Sequence, residues 1–349
     1  MIPVGATEDE LMTKPRVLVL PGPTMYHDIF APEIDAALRD LADVTFNESD
    51  ENWTSERLAA EAAPYDGIVT CWGSPTVTDA VLDAAPHLKI VAHAAGSVKG
   101  YIPEEVLRRG VLVSSAAIAM SPAVAEFSLI LVLLGLRPIH EYDHGMRHGG
   151  PDRAWDAIDA FGMGQEIAGQ RIGVVGAGNV GRIFIGQLTA LRAEPWVYDP
   201  YLGDEAAAEL GARKVSLAEL LSSCPIVVNH APTTPETHHM IGREELALMP
   251  DGAYLVNTAR SWIIDQDALL AELQSGRIRA ALDVFDIEPL PLDHPFRSLP
   301  NVLLTPHIAG GTQQTRHRQG ECVVRDLANA FAGRPLAHGI TLDRYAILA

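Results

Sequence analysis

Three short stretches of this 349-residue chain each place polar side chains at the end of an apolar run, where chemistry can be done. NTARSW carries Arg260, ALDVFDIEP carries Asp283 and Glu288, and TPHIAGG carries His307. A histidine holds or releases a proton near neutral pH, a carboxylate can fix its second ring nitrogen, and a guanidinium grips a carboxylate at two points. Those are the three tasks that hydride transfer to or from a 2-hydroxy acid sets. On its own, a histidine in a Pro/Gly loop reads more readily as structural or solvated, so the reading of His307 rests on its companions.

A fourth stretch, GVVGAGNVGR, spaces Gly176, Gly178 and Gly181 as G-x-G-x-x-G, after an apolar strand and at the start of a helix. The first glycine permits the tight turn, the second lets a pyrophosphate approach the backbone, and the third lets helix and strand pack closely. The free N–H groups of the helix N-terminus then face the phosphates. The next strand ends in VYDP, which puts Asp199 18 residues after Gly181. A carboxylate there can accept from the ribose hydroxyls of NAD and repels the extra phosphate of NADP. In isolation Asp199 would read as an exposed turn residue before Pro200. With the glycines, it points to NAD in preference to NADP.

These residues need elements to hold them. RVLVLPG, DVTFN, DGIVTCW, LKIVAHAAG and VLVSSA read as strands, separated by helical stretches such as APEIDAALRDLA, SERLAAEAA, VTDAVLDAA and EEVLRRG. A second series begins at RIGVVGAGNVGR and continues through EPWVYD, PIVVNHA, AYLVNTA, RAALDVF and NVLLTPH. Strands alternating with helices predict parallel sheets covered on both faces, and the length suits two such α/β domains. Ser121-Pro122 reads as a helix start, and the apolar helix after it predicts burial between domains or subunits. The polar, Gly-rich residues 140–166 read as helix end and loop, QQTRHRQGECVVRDLANAFAG as an amphipathic helix, and the tail from Arg334 as irregular.

Lys and Arg total 26 against 45 Asp and Glu, a formal charge of −19 that argues against nucleic acid as a partner. The run Phe127 to Leu136 is about half of the roughly 20 residues a bilayer span requires, so no membrane association is expected. The N-terminus lacks the pattern of a secretion signal. Cys71, Cys224 and Cys322 show no metal or disulfide spacing, which fits a reducing, cytoplasmic setting and no metal site.

The order NHAPTTPETHHMIG, NTAR, ALDVFDIEPLP and LPNVLLTPHIAG resembles the D-isomer-specific 2-hydroxyacid dehydrogenase family, over nearly the whole chain. The family includes glyoxylate/hydroxypyruvate reductases and phosphoglycerate dehydrogenase. The resemblance implies a Rossmann NAD-binding domain, residues 119–308, inserted into a flavodoxin-like substrate domain made of 1–118 and 309–349. It implies His307 as acid/base, Glu288 as the partner of its ring, and Arg260 as the group that binds the carboxylate. Asp283 resembles the residue that contacts the nicotinamide carboxamide. Asn179, Val180, Ala231, Pro232, Thr258 and Gly310 are expected to complete the NAD site beside the glycines and Asp199. A homodimer is implied, formed largely through the cofactor domains with the helix Val124 to Leu136. Glu288 stands where the formate dehydrogenase branch has Gln.

The same resemblance makes Gly96, Ser97 and Val98 candidate backbone donors to the substrate carboxylate, in AHAAGSVKGYIP. Here the chain departs from the usual G-x-G-x-D-N-x-D: Val98, Gly100, Tyr101 and Pro103 take the place of the second Gly, the first Asp, the Asn and the last Asp. Lys99 reads as a solvated lysine or, if turned inward, as the reader of a second anionic group on the substrate. Trp72 and Ser74 are candidates for the cleft wall, with packing as the other role for Trp72. Ser261 replaces the family's usual Gly after Arg260. Two other readings follow from relatives of the same fold: an NAD(H)-sensing corepressor-like binding protein, and a dehydrogenase of an inorganic anion such as phosphite.

Overall fold

A computed structural model describes residues 14–150 and 153–345, apart from the side chains of 160 and 161. Most of the stretch read for a secretion signal, residues 1–13, lies outside them. Thirteen strands follow in chain order: β1 (Arg16–Val19), β2 (Asp43–Phe46), β3 (Gly67–Thr70), β4 (Ile90–His93), β5 (Leu112–Ser115), β6 (Arg171–Val175), β7 (Glu194–Tyr198), β8 (Arg213–Lys214), β9 (Ile226–Asn229), β10 (Tyr254–Asn257), β11 (Arg279–Leu282), β12 (Val302–Leu304) and β13 (Gly339–Ile340). They form a six-stranded sheet, β13-β5-β4-β3-β1-β2, and a seven-stranded sheet, β12-β11-β10-β9-β6-β7-β8. The chain divides accordingly into two compact units: the part up to Met120 with the part from Gly311, and Ser121–Gly310.

Both sheets are parallel except for β13, which runs antiparallel to β5. Short apolar strands joined by helices leave no face for solvent, so both faces must be covered. In the first unit Val17 and Val19 pack to one side of β1 and Leu18 to the other, all fully buried. In the second, Val227 and Leu255 share one core while Val174, Val228 and Val256 share the other. The two-residue period of a strand therefore feeds two cores per sheet.

Several elements depart from the sequence reading. Residues 140–166 hold two helices, Ile139–His148 and Ala154–Phe161. The first buries only Gly145, leaves Ile139 and Met146 exposed, and stops at Gly149 in the left-handed conformation. Pro23–Ile29 is also helical, and the tail contains β13 and the helix Leu342–Tyr345 rather than irregular chain. β8 and β13 are two residues each, too short to carry a periodic signal. Ser121 is not a cap: the 3-10 turn Ala116–Met120 runs directly into the helix Ser121–Leu136.

That continuous stretch, Ala116–Leu136, has the length and apolar composition of a membrane span. One side of it packs into the second unit's core. Ala123, Ala125, Ser128, Leu131, Val132 and Gly135 are buried, and the helix lies against the helix Asn179–Ala190 and β10. Burial is one-sided, since Ile130 and Leu133 are 45% and 38% exposed.

Candidate active site

In the second unit, β9, β10, β11 and β12 end in the loops that carry the candidate residues, which is where open α/β sheets bind ligands. Past the end of β12, His307 Nδ1 lies 2.7 Å from Glu288 Oε2. The other Glu288 oxygen accepts from the Phe285 N–H at 2.9 Å, so the carboxylate is held at one end and presents the other to the ring. Both side chains are exposed, and an exposed ion pair adds little stability. What the contact provides is orientation: with Nδ1 engaged, Nε2 is left for a reacting atom.

His307 adopts φ +52°, a left-handed conformation that is rare for a side chain of this size. The loop is held there by Asp283, at the end of β11. Asp283 is fully buried, with Oδ1 accepting from Thr305 Oγ1 at 2.6 Å and the Ile308 N–H at 2.9 Å, and Oδ2 from the Ala309 N–H at 3.0 Å. In this structure Asp283 clamps the histidine loop, a task its family likeness to a nicotinamide contact does not suggest. One lone pair of Oδ2 at most is left for such a contact.

Arg260 follows β10. It is half-buried, its Nη1 donates to Ala259 O at 2.7 Å, and no carboxylate pairs with it among the described residues. Burial lowers its pKa, and the nearby Glu288 charge works in the other direction. A half-dry guanidinium without a carboxylate partner is suited to an anionic ligand. Its loop is fixed by two asparagines that sequence reasoning did not single out. Asn257 Nδ2 donates to Arg260 O at 3.0 Å, and Asn257 Oδ1 accepts from the Ala259 N–H and from Asn229 Nδ2, each at 3.1 Å. Asn229 Oδ1 in turn accepts from the Ala231 N–H at 3.1 Å. The pair sits in register on β9 and β10 and is buried. An amide ending an otherwise apolar strand, in NHA and NTAR, was the available signal.

The turn after β6 has the geometry a dinucleotide needs. Gly176 has φ +95°, and a Cβ there would lie 2.8 Å from the His230 and Ala231 backbone. A Cβ on Gly181 would lie 2.1 Å from Gly176 O. Gly178 meets nothing within 4 Å, so the space beside it is open, and it begins the helix Asn179–Ala190 with no side-chain cap on the N–H groups. NAD therefore fits these residues. Asp199 Oδ2 accepts from the Ala177 N–H at 2.7 Å and Oδ1 from the Tyr201 N–H at 2.8 Å, tying the end of β7 to the glycine turn. Val180 is half-buried at the helix start, Ala231 is buried, Pro232 is exposed, and Gly310 closes the unit. Thr258 is buried and its hydroxyl lies 2.7 Å from Ser128 Oγ; since Ser128 Oγ donates to Val124 O, Thr258 is the donor of that pair. His230 is buried with Nε2 unpartnered, and burial pushes its pKa down to about 3.

In the first unit, the N–H groups of Gly96, Ser97 and Val98 have no acceptor among the described residues. Val98 is 1% exposed, so its side chain belongs to the core. Ser97 Oγ accepts from the Lys99 N–H at 3.2 Å, and the Lys99 side chain is exposed. Ser74 Oγ accepts from the Cys71 N–H at 2.8 Å, a turn contact. Trp72 is 38% exposed with the Arg316 guanidinium 4.2 Å from its ring centroid. Beneath the loop, His93 is fully buried, 2.9 Å from Thr70 Oγ1 and stacked on Tyr101.

The model of the D-isomer specific 2-hydroxyacid dehydrogenase NAD-binding domain matches residues 129–309. The chain is 35% identical to a glyoxylate reductase of Thermofilum pendens over 317 residues, 89% of this chain and 92% of that protein. It is 34% identical to a D-3-phosphoglycerate dehydrogenase of Archaeoglobus fulgidus over 289 residues, covering 82% of this chain and 53% of that one. This chain thus spans about half the length of that phosphoglycerate dehydrogenase. Among solved structures, the apo form of Rhodotorula graminis D-mandelate dehydrogenase matches with TM-score 0.81 and 25% identity, over 94% of this chain and 98% of that one.

Proposed function

Because this chain belongs to the D-isomer-specific 2-hydroxyacid dehydrogenases, we propose that it transfers a hydride between NAD and a small 2-hydroxy or 2-oxo acid. The observation that carries this reading is the 2.7 Å contact between His307 Nδ1 and Glu288 Oε2, which leaves Nε2 as the one ring atom to exchange a proton with substrate. The glycine turn and the N-terminus of Asn179–Ala190 hold the pyrophosphate, and Asp199 takes the ribose hydroxyls and disfavours NADP. NADH supplies the hydride when bound. Arg260 binds the substrate carboxylate and polarises the carbonyl; in the first unit, the N–H groups of Gly96, Ser97 and Val98, which have no acceptor among the described residues, are candidate carboxylate donors. As the carbonyl carbon is reduced, His307 Nε2 gives a proton to the carbonyl oxygen. In the oxidative direction it takes the hydroxyl proton, and Glu288 stabilises the charged ring.

The exposed Ile130 and Leu133 on the helix Ser121–Leu136 are read as the surface against which a second copy packs. All three cysteines are free, in keeping with a reducing, cytoplasmic setting. The test is the loss of NADH absorbance over glyoxylate, hydroxypyruvate, pyruvate, phenylpyruvate, oxaloacetate and 2-oxoglutarate, with NADPH in parallel. Rapid oxidation of NADH by one acid and slow oxidation of NADPH is the expected result. No turnover of any acid, with NADH formed from phosphite and NAD, would replace this reading by that of an anion dehydrogenase.

A further inference from the structure

The second unit contains a cavity of about 310 Å³ that hydride transfer does not use. Ile226, Tyr254 and Arg279 line it, and each is the first residue of its strand, β9, β10 or β11. Arg260 and Asp283 follow the opposite ends of β10 and β11, so the cavity opens at the other edge of the sheet. The end of the helix Ser121–Leu136 and Pro138 and Glu141 beyond it form a second wall, and Met163, Gln165, Gln170, Pro225 and Gly252 complete the lining. The volume is at the lower end for small-molecule sites.

Gln165 and Gln170 line it with neutral amides, and three further groups bring charge or an unsatisfied hydroxyl. Tyr254 is 4% exposed, and its hydroxyl has no hydrogen-bond partner. An unpaired buried hydroxyl costs about 1–3 kcal/mol, so a partner for it is worth supplying. Glu141 Oε2 is also shielded and unbonded; His140 Nδ1 lies 2.9 Å away but outside hydrogen-bond geometry. The Arg279 guanidinium lies 5.2 Å from the Tyr254 ring centroid, and its Nη2 donates to Gly135 O at 3.1 Å. A Cβ on Gly135 would come within 2.2 Å of the Tyr254 ring, so this glycine makes the ring's position possible. Arg279 and Glu141 form no ion pair with each other among the described residues, although both act on the Tyr254 phenol, Arg279 favouring its ionisation and Glu141 opposing it.

Opposite charges in one cavity that do not pair with each other favour a ligand that carries both. A plain anion would meet Glu141, and a plain cation would meet Arg279. We propose that the cavity binds a small zwitterion, a free α-amino acid, with its carboxylate on Arg279 and the Tyr254 hydroxyl and its ammonium group on Glu141. The apolar wall of Leu136, Pro138 and Ile226 favours a small or aliphatic side chain. This site is separate from the dehydrogenase site and does not depend on that activity.

Calorimetric titration of the full chain with glycine, alanine, serine, valine, leucine and aspartate, and with propionate and ethylamine as single-charge controls, tests it. Saturable binding of at least one amino acid is expected, with neither control binding. Glu141→Gln and Tyr254→Phe should each weaken it about tenfold or more while NADH binding stays at the wild-type value; without ligand, Tyr254→Phe should melt no lower than wild type, because it removes an unpaired buried hydroxyl. Arg260→Lys should leave the affinity unchanged. The proposal is overturned if no amino acid binds, if propionate binds as tightly, if Glu141→Gln has no effect, or if Arg260→Lys abolishes binding, which would put the ligand at the catalytic site. NADH binding in the same samples reports separately on the dehydrogenase reading.

Discussion

The turn Gly176–Gly181 and the loop Gly96–Gly100 each follow a buried parallel strand, yet they are built on different terms. In the first, the backbone leaves two glycines no choice: side chains at Gly176 and Gly181 would collide with neighbouring main chain, while the space beside Gly178 stays open. A 12-residue helix then presents its uncapped N-terminus. In the second, Val98 occupies the core, Lys99 faces solvent, and the following helix, Glu104–Arg108, is five residues long. Both regions rest on a buried histidine, His230 and His93, whose pKa burial pushes down. The difference teaches that close approach of main chain fixes the residue type at Gly176 and Gly181, whereas a loop anchored by the buried Val98 leaves its exposed residues free to vary. On the proposed function, the first would hold the cofactor pyrophosphate and the second would meet the acid.

The strongest test of that contrast is Gly181→Ala beside Gly178→Ala. The first puts a methyl group 2.1 Å from a carbonyl oxygen, and loss of NADH binding with a lowered melting temperature is expected. The second should melt like wild type and lose only affinity for NADH, as isothermal titration and thermal unfolding would record. Equal melting temperatures for both variants would dissolve the distinction. Next in size, Arg260→Lys keeps the charge but loses the fork, and should lower kcat/KM by about a hundredfold, comparable with one lost transition-state donor.

How much of this was legible in the sequence follows from what each residue type reveals. Apolar runs marked both sheets, because a buried parallel strand has nowhere to place polar side chains; β8, Arg213–Lys214, and β13 were too short to read, and β8 is polar besides. The helix Ile139–His148 escaped because its apolar residues, Ile139, Tyr142 and Met146, are few and sit among His, Asp, Glu and Gly that read as loop. In the site, spacing located Arg260, Glu288 and His307 but not the directions of their hydrogen bonds. Asp283 is visible as a carboxylate in ALDVFDIEP, whereas its grip on Ile308 and Ala309 depends on β11 and β12 lying side by side. The Asn229–Asn257 pair likewise exists only in the sheet's register. Thr258, expected at the cofactor, turns its hydroxyl to Ser128, 130 residues away in sequence.

The two buried histidines sharpen the comparison through pH. Burial lowers His93 to about 4 and His230 to about 3, from an ordinary 6.5. Below about pH 6.5 the unfolded chain takes up protons that the folded chain refuses, so stability falls as pH drops towards 4, by about 1.4 kcal/mol per pH unit for each histidine. Thermal unfolding at pH 7 and pH 5 should show that loss, reduced in His93→Leu and in His230→Leu. Loss of the same size in both variants as in wild type would mean that neither histidine is held neutral. The smallest effect expected is that of Lys99→Ala, a change of less than about fivefold in KM for a monocarboxylic 2-oxo acid, as befits an exposed charge. A much larger rise confined to dicarboxylic acids would make Lys99 a reader of a second negative group.

The pairing of His307 with Glu288 is tested most directly by His307→Asn. With the 2-oxo acid that wild type reduces fastest, kcat is measured beside the dissociation constant for NADH. We expect kcat to fall by about 10²- to 10⁴-fold while NADH binds as before. Turnover within a few-fold of wild type would contradict the account, because the proton would then reach the substrate oxygen from another group.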